Sequence, residues 1–216
     1  MFSLRSGSLP CNDPYDLWAS SFGILVKERY YSGSITGKLG AVGLGLADWL
    51  FPNVIRKLVV TKKIVYPINI GHEALIRDTL SRLDEASEKK ILHHLTTEAA
   101  YPNGEPSWAW GLGFPWMSKN GLYGSHVPFV THTPYAMEAL LVLKHDKEAL
   151  QMFHGTWRFL ESLKVMYEED EALALSYAPV DEPRIVVNAN GYAAFAYALQ
   201  VLSGILASYA FCKKLI

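Results

Sequence analysis

Apolar residues recur at three- and four-residue intervals along most of this 216-residue chain, with polar residues between them. That is the periodicity of helices that bury one face. Leu17, Trp18, Phe22, Leu25 and Val26 predict a first helix, opened by Asn12-Asp13-Pro14 with Asp13 as cap and Pro14 in the first turn. Ala74, Leu75, Ile76, Leu80 and Leu83 predict a helix from Gly71 to Leu83. Ile91, Leu92 and Leu95 predict another from Glu88 to Ala99. Thr133-Pro134 opens a helix through Lys144, with Thr133 as its cap, and Asp146 caps a helix running to about Tyr167. A last helix, apolar nearly throughout, runs from about Ala189 to Phe211. Between Val54 and Ile70 the apolar runs are too short to distinguish a strand from a helix end. The glycines at 33, 37, 40, 43 and 45 lack the Gly-Lys-Ser/Thr ending of a phosphate loop, so they are read as sites of close helix packing.

The helical pattern breaks in two places. From Glu105 to Pro134 three of the six tryptophans, with Phe114, His126 and His132, sit among glycines and prolines, and this stretch reads as irregular backbone. A second irregular segment runs from Glu168 to Asn188. Long loops carried on helices are commonly functional. Thr133-Pro134-Tyr135-Ala136 and Asn190-Gly191-Tyr192-Ala193 both open helices, 57 residues apart, and each follows one of these loops. That period suggests stacked or circularly arranged hairpins. The expected fold is therefore all-α, with antiparallel helical hairpins either stacked or arranged in a circle. Residues 1–13 are expected to be a loose segment and 14–216 a single domain. The final apolar run is long enough to span a bilayer, but Asn190, Gln200, Ser203 and Ser208 interrupt it, and it is read as a buried inner helix.

Composition narrows the function classes. Half of the residues are apolar, 19% are charged and the net charge is −1, so no clustered basic face points to a nucleic-acid partner. Cys11 and Cys212 lie at opposite ends without metal or redox spacing. They fit free thiols in a cytoplasmic protein more simply than a disulfide. No signal-peptide core is present near the N-terminus. No membrane partner, metal or cofactor is expected. His93 and His94 point about 100° apart on a helix and cannot face one metal.

Flat aromatic rings suit the C–H faces of sugars, and neighbouring carboxylates and amides suit their hydroxyls. Trp108, Trp110, Phe114 and Trp116 supply rings, with Trp110 and Trp116 the better placed to line a cleft rather than plug the fold. Tyr177, Arg184, Asn188 and Asn190 are candidate substrate contacts if the two loops meet. Glycoside chemistry needs two groups facing across a bond. Asp181 paired with Glu105 or His132 is the candidate set; Asp181 reads equally as a turn residue and His132 as a structural histidine. A glycan or sugar-containing small molecule is the expected partner.

Asp13-Pro14-Tyr15-Asp16, Trp110-Gly111-Leu112-Gly113-Phe114-Pro115-Trp116, His132-Thr133-Pro134, Ser176-Tyr177-Ala178-Pro179-Val180-Asp181 and Asn188-Ala189-Asn190 together resemble a family of bacterial polysaccharide-biosynthesis-associated α/α-toroid proteins. Some members of that family are labelled aminolevulinate dehydratases, a label that nothing here supports. The family's aromatic loop is similar to Trp-Gly-Tyr-Pro-Phe-Asp-Trp; this chain lacks the aspartate there. The resemblance implies a role in capsule or exopolysaccharide synthesis, by acid/base chemistry on a glycan or as a non-catalytic glycan binder or scaffold. An isoprenoid-binding toroid is a third reading, disfavoured by the lack of an aspartate-rich motif. Such toroids have about twelve helices, so the chain is expected to be a truncated form or to complete its barrel as a homo-oligomer.

Overall fold

The first predicted helix is interrupted at Ser20. The computed structural model, which describes residues 10, 16–59, 63–100, 108–181 and 185–204, has a short α1 (Asp16–Ala19) followed by α2 (Ser21–Tyr31). The Ser20 hydroxyl accepts from Gly23 N at 3.0 Å and donates to Leu17 O at 2.6 Å, so it caps one helix while closing the other. The predicted cap at Asp13 and both cysteines lie outside the described residues.

Next come α3 (Ile35–Leu50) and α4 (Pro52–Leu58), with Pro52 at the start of α4. The glycine reading holds in part. A Cβ at Gly37 would run into the backbone of Arg29 and Tyr30, which is why α3 can lie against α2. Gly43 and Gly45, in contrast, have open space around them. Arg56 ties α4 back to α3 through a two-pronged bond to Asp48, at 3.0 and 3.1 Å.

The chain divides into two compact units, the N-terminal one comprising Pro10–Ile64 and Phe114–Ser125. In it a small hairpin of β1 (Trp116–Ser118) and β2 (Gly121–Tyr123), paired Trp116 to Tyr123, packs on α1 and α2. Leu17, Val26, Leu44, Ile64, Met117 and Tyr123 form its buried interior. The hairpin corrects the irregular reading of the aromatic stretch. Three-residue strands are too short to show a period of two in sequence.

The other unit takes in Val65–Gly113 and His126 onward. Its helices are α5 (Pro67–Thr79), α6 (Glu85–Thr97), α7 (Thr133–Val142), α8 (Lys147–Ser162) and α9 (Val187–Leu202). A second hairpin, β3 (Val165–Glu168) with β4 (Leu173–Leu175), sits between α8 and α9. The last turns predicted for α8 are therefore strand. Alternate helices lie side by side: α7 packs against α5 on one flank and α9 on the other. The intervening helices form a second layer, α6 on α5 and α7, α8 on α7 and α9. Ile70, Ala74, Ile91, Leu95, Met137, Leu140, Phe153 and Phe159 fill the space between the layers. Gly71 is where α5 comes closest to α7, and a Cβ there would strike the Tyr135 carbonyl.

Asp146 caps α8 as expected, its Oδ1 accepting from Glu148 N at 2.8 Å and Ala149 N at 3.1 Å. Thr133 does not cap α7. Its hydroxyl accepts from Trp110 N at 3.1 Å and bonds Phe129 O at 3.1 Å, so a partner 23 residues away has taken the local cap. Among the described residues no helix is long and apolar enough to cross a membrane.

Candidate functional site

The aromatic stretch divides between the two units. Trp110 is wholly buried and its indole donates to Leu95 O at 2.8 Å, anchoring the stretch to α6. This corrects the expectation that Trp110 lines a cleft: an indole with both its faces and its N–H engaged has nothing to offer a sugar. Trp108 is half-buried and packs on α8 at Gly155, which has no side chain to keep the ring away. In the N-terminal unit Phe114 meets Trp116 edge to face, with centroids 6.3 Å apart. The amine of Lys27 stands 3.2 Å over the Trp116 ring. Burial holds the Lys27 amine down to about 8.

Asp181 is 2% exposed, and its Oδ2 accepts from Ala178 N at 3.1 Å. It closes the turn of Ala178 to Asp181, and Lys164 Nζ donates to its carbonyl at 2.8 Å. A carboxylate engaged inside its own turn is badly placed for acid/base work on a glycan. Glu105 and Arg184 lie outside the described residues. His126 is exposed.

His132 is buried immediately before α7, with its Nδ1 3.0 Å from the Thr131 hydroxyl and its ring 6.0 Å from that of Phe129. Thr131 in turn donates to the Tyr177 hydroxyl at 3.3 Å, and Tyr177 stacks on Phe129 at 4.7 Å. The two loops do meet here, since Val130 N also donates to Tyr177 O. Burial pulls His132 down to about 4, so its imidazole is neutral at physiological pH. Asn190 is a fastener: its Oδ1 accepts from Leu175 N at 2.7 Å and its amide donates to Val186 O at 3.1 Å, pinning β4 to the start of α9.

A second group, not singled out as a site from the sequence, lies on the faces of α5, α7 and α9 turned away from the core. The hydroxyls of Tyr135 and Tyr192 are 3.1 Å apart. The His72 ring stands edge-on to Tyr135, centroids 5.3 Å apart at 90°. Glu138 follows Tyr135 by three residues, one turn along the same face of α7. Asn188 and Phe195 flank Tyr192 by a turn on either side of α9, both exposed.

These groups influence one another. The bond to Tyr192, then burial, then the negative charges nearby push Tyr135 up to about 12. Burial raises the Glu138 carboxyl above its usual range, opposed by the nearby His72. The face thus presents two phenols bonded to each other, a carboxyl group that holds its proton longer than most, and an exposed phenyl ring. The 57-residue repeat was the signal for it, because the pair consists of the corresponding tyrosines of the two repeats. Comparison with family models, with curated proteins and with solved structures found no match.

Proposed function

We propose that the unit built on α5 to α9 is an arc of an α/α toroid and binds a glycan on the exposed face of α5, α7 and α9, in the synthesis or modification of surface polysaccharide. The observation that carries this reading is the Tyr135–Tyr192 hydroxyl pair set beside His72 and Glu138 on one helical layer. Adjacent phenols offer donors and acceptors at the spacing of neighbouring sugar hydroxyls, and Phe195 and the tyrosine rings offer faces for C–H packing. The family resemblance in the aromatic and Asn188-Ala189-Asn190 segments supports the polysaccharide context. If the glycan is chemically altered, Glu138 is the proton donor, because burial raises its carboxyl above the usual range and a carboxyl shifted in that direction suits such chemistry.

The test is a binding screen against bacterial polysaccharides and lipid-linked sugars, using the wild type and the double variant Tyr135→Phe/Tyr192→Phe. The double variant keeps the rings and loses both hydroxyls. A loss of about tenfold or more in affinity is expected for two hydrogen bonds removed. Unchanged affinity in the double variant rules the face out. Glu138→Gln separates catalysis from binding, since it abolishes turnover and retains affinity only if Glu138 is the acid.

A further inference from the structure

The N-terminal unit carries a surface that the glycan reading does not use. On α3 the side chains of Ile35, Leu39, Val42, Leu46 and Trp49 follow one another at alternating four- and three-residue steps, and every one is more than half exposed. The stripe continues through Leu50 and Phe51 into Val54 and Leu58 on α4, again each more than half exposed, with Trp49 the most open of all at 77%. From these exposures the patch offers on the order of 1,000 Å² of apolar surface, well above the roughly 300–600 Å² that is the largest patch on a typical monomer. The inward side of α3, with Gly37 and Leu44 buried, is the side that packs on α2, so the stripe is not the core face of the helix.

Charge decides what covers it. Between Ile35 and Lys63 the sequence holds Lys38, Arg56, Lys57, Lys62 and Lys63 against a single acid, Asp48, in a protein whose net charge is −1. Asp48 is itself bound by Arg56. Lys38 on α3 and Lys57 on α4 are exposed on the same helices as the stripe, and Lys63 is exposed as well. Two copies meeting on this face would bring like charges together. An anionic lipid surface instead accepts the apolar side chains below its headgroups and pairs the surrounding lysines with phosphates. Trp49 and Phe51, exposed at the junction of the two helices, are the side chains that favour the boundary between headgroups and acyl chains.

We propose that α3 and α4 form an in-plane docking surface for an anionic phospholipid bilayer. This replaces the expectation, drawn from the sequence, of no membrane partner. It fits the finding that no described helix is long and apolar enough to cross a membrane, because the helices lie on the surface rather than through it. It stands independently of the glycan reading.

The experiment is co-sedimentation of the full chain with vesicles of phosphatidylcholine alone and of equal parts phosphatidylcholine and phosphatidylglycerol, at low and high salt, with sedimentation velocity of the protein without vesicles. Partition onto the mixed vesicles is expected to exceed that onto the neutral ones by roughly tenfold or more and to fall with salt. Lys57→Glu/Lys63→Glu lowers partition onto mixed vesicles by roughly tenfold or more, and Leu46→Ser/Trp49→Ser abolishes it. All four side chains are exposed, so the fold is retained, which circular dichroism verifies. Equal partition onto both vesicle types overturns the proposal. So does a stable dimer that Leu46→Ser/Trp49→Ser dissolves, since that places a second copy on the face.

Discussion

The contact at Gly71 gives the sharpest test of how α5 and α7 are held together. Replacing a helical glycine by alanine ordinarily stabilises a helix by about 1 kcal/mol, because the glycine loses more backbone entropy on folding. At Gly71 the added Cβ would press on the Tyr135 carbonyl, with the carbonyl carbon at 3.0 Å and the Tyr135 Cβ at 3.2 Å. These are backbone and near-backbone atoms of α7, so no rotamer change relieves them, and α5 and α7 must separate. Overpacking of this kind costs about 1–3 kcal/mol and outweighs the propensity gain. The expected result for Gly71→Ala is net destabilisation of up to about 2 kcal/mol, read as a fall of up to roughly 1 M in the urea midpoint. Gly43 on α3 is the control: no atom lies within 4 Å of a Cβ there, so Gly43→Ala is expected to gain up to about 1 kcal/mol. Because Gly71 adjoins His72 and abuts Tyr135, separating the helices also breaks the His72–Tyr135 edge contact, and under the proposed function it weakens glycan binding. A Gly71→Ala protein as stable as the wild type or more so would refute the close approach of the two helices.

Three further outcomes follow from the same geometry. Asp181→Ala is expected to cost about 1–2 kcal/mol by leaving the buried Ala178 N–H without its acceptor, whereas Asp181→Asn keeps an oxygen there and keeps any turnover; loss of turnover in a stably folded Asp181→Asn would restore a catalytic role. His132 titrates near 4 in the fold against an ordinary value of 6.5, so the neutral form's contribution is complete above about 6.5 and is lost as the pH falls toward 4, by up to roughly 3 kcal/mol. Urea unfolding of His132→Asn across that window should show a flatter profile than the wild type, and identical profiles would contradict the burial of a neutral imidazole. Glu138 has the opposite sign: its raised carboxyl makes the fold lose stability as the pH rises from the usual carboxylate range toward neutrality. Glu138→Gln should therefore match the wild type in acid and exceed it near neutral pH, and a gain that is the same at every pH would point to packing instead.

What was legible in the sequence was what depends on near neighbours. The Asp146 cap of α8 is a contact across three residues, and the α5 and α6 stripes are periodicities of single helices, so both were readable. Helix ends moved where a partner elsewhere intervened. Thr133 has the residue type and position of a cap, yet Trp110 N takes its hydroxyl. The predicted end of α8 became β3 because β4 was there to pair with it. Both hairpins are too short to leave a pattern, and Ser20 broke the first helix with one hydroxyl.

The candidate site was legible in kind and only in part in place. The sequence alone determined that the chain is mainly helical, that three of its six tryptophans sit in one break between helices, and that two helix starts repeat at 57 residues. Those properties are set by side-chain type, by local backbone preference and by spacing along one element. Tertiary structure decided which aromatics are interior and which are available. Trp110 went to the core because Leu95 O gave its indole N–H a partner. The repeat tyrosines became a pair because α7 lies against α9, and Gly71 lets α5 close on α7 beside them. Each outcome turns on which distant group meets a polar atom or an apolar face, and a linear pattern holds no record of that.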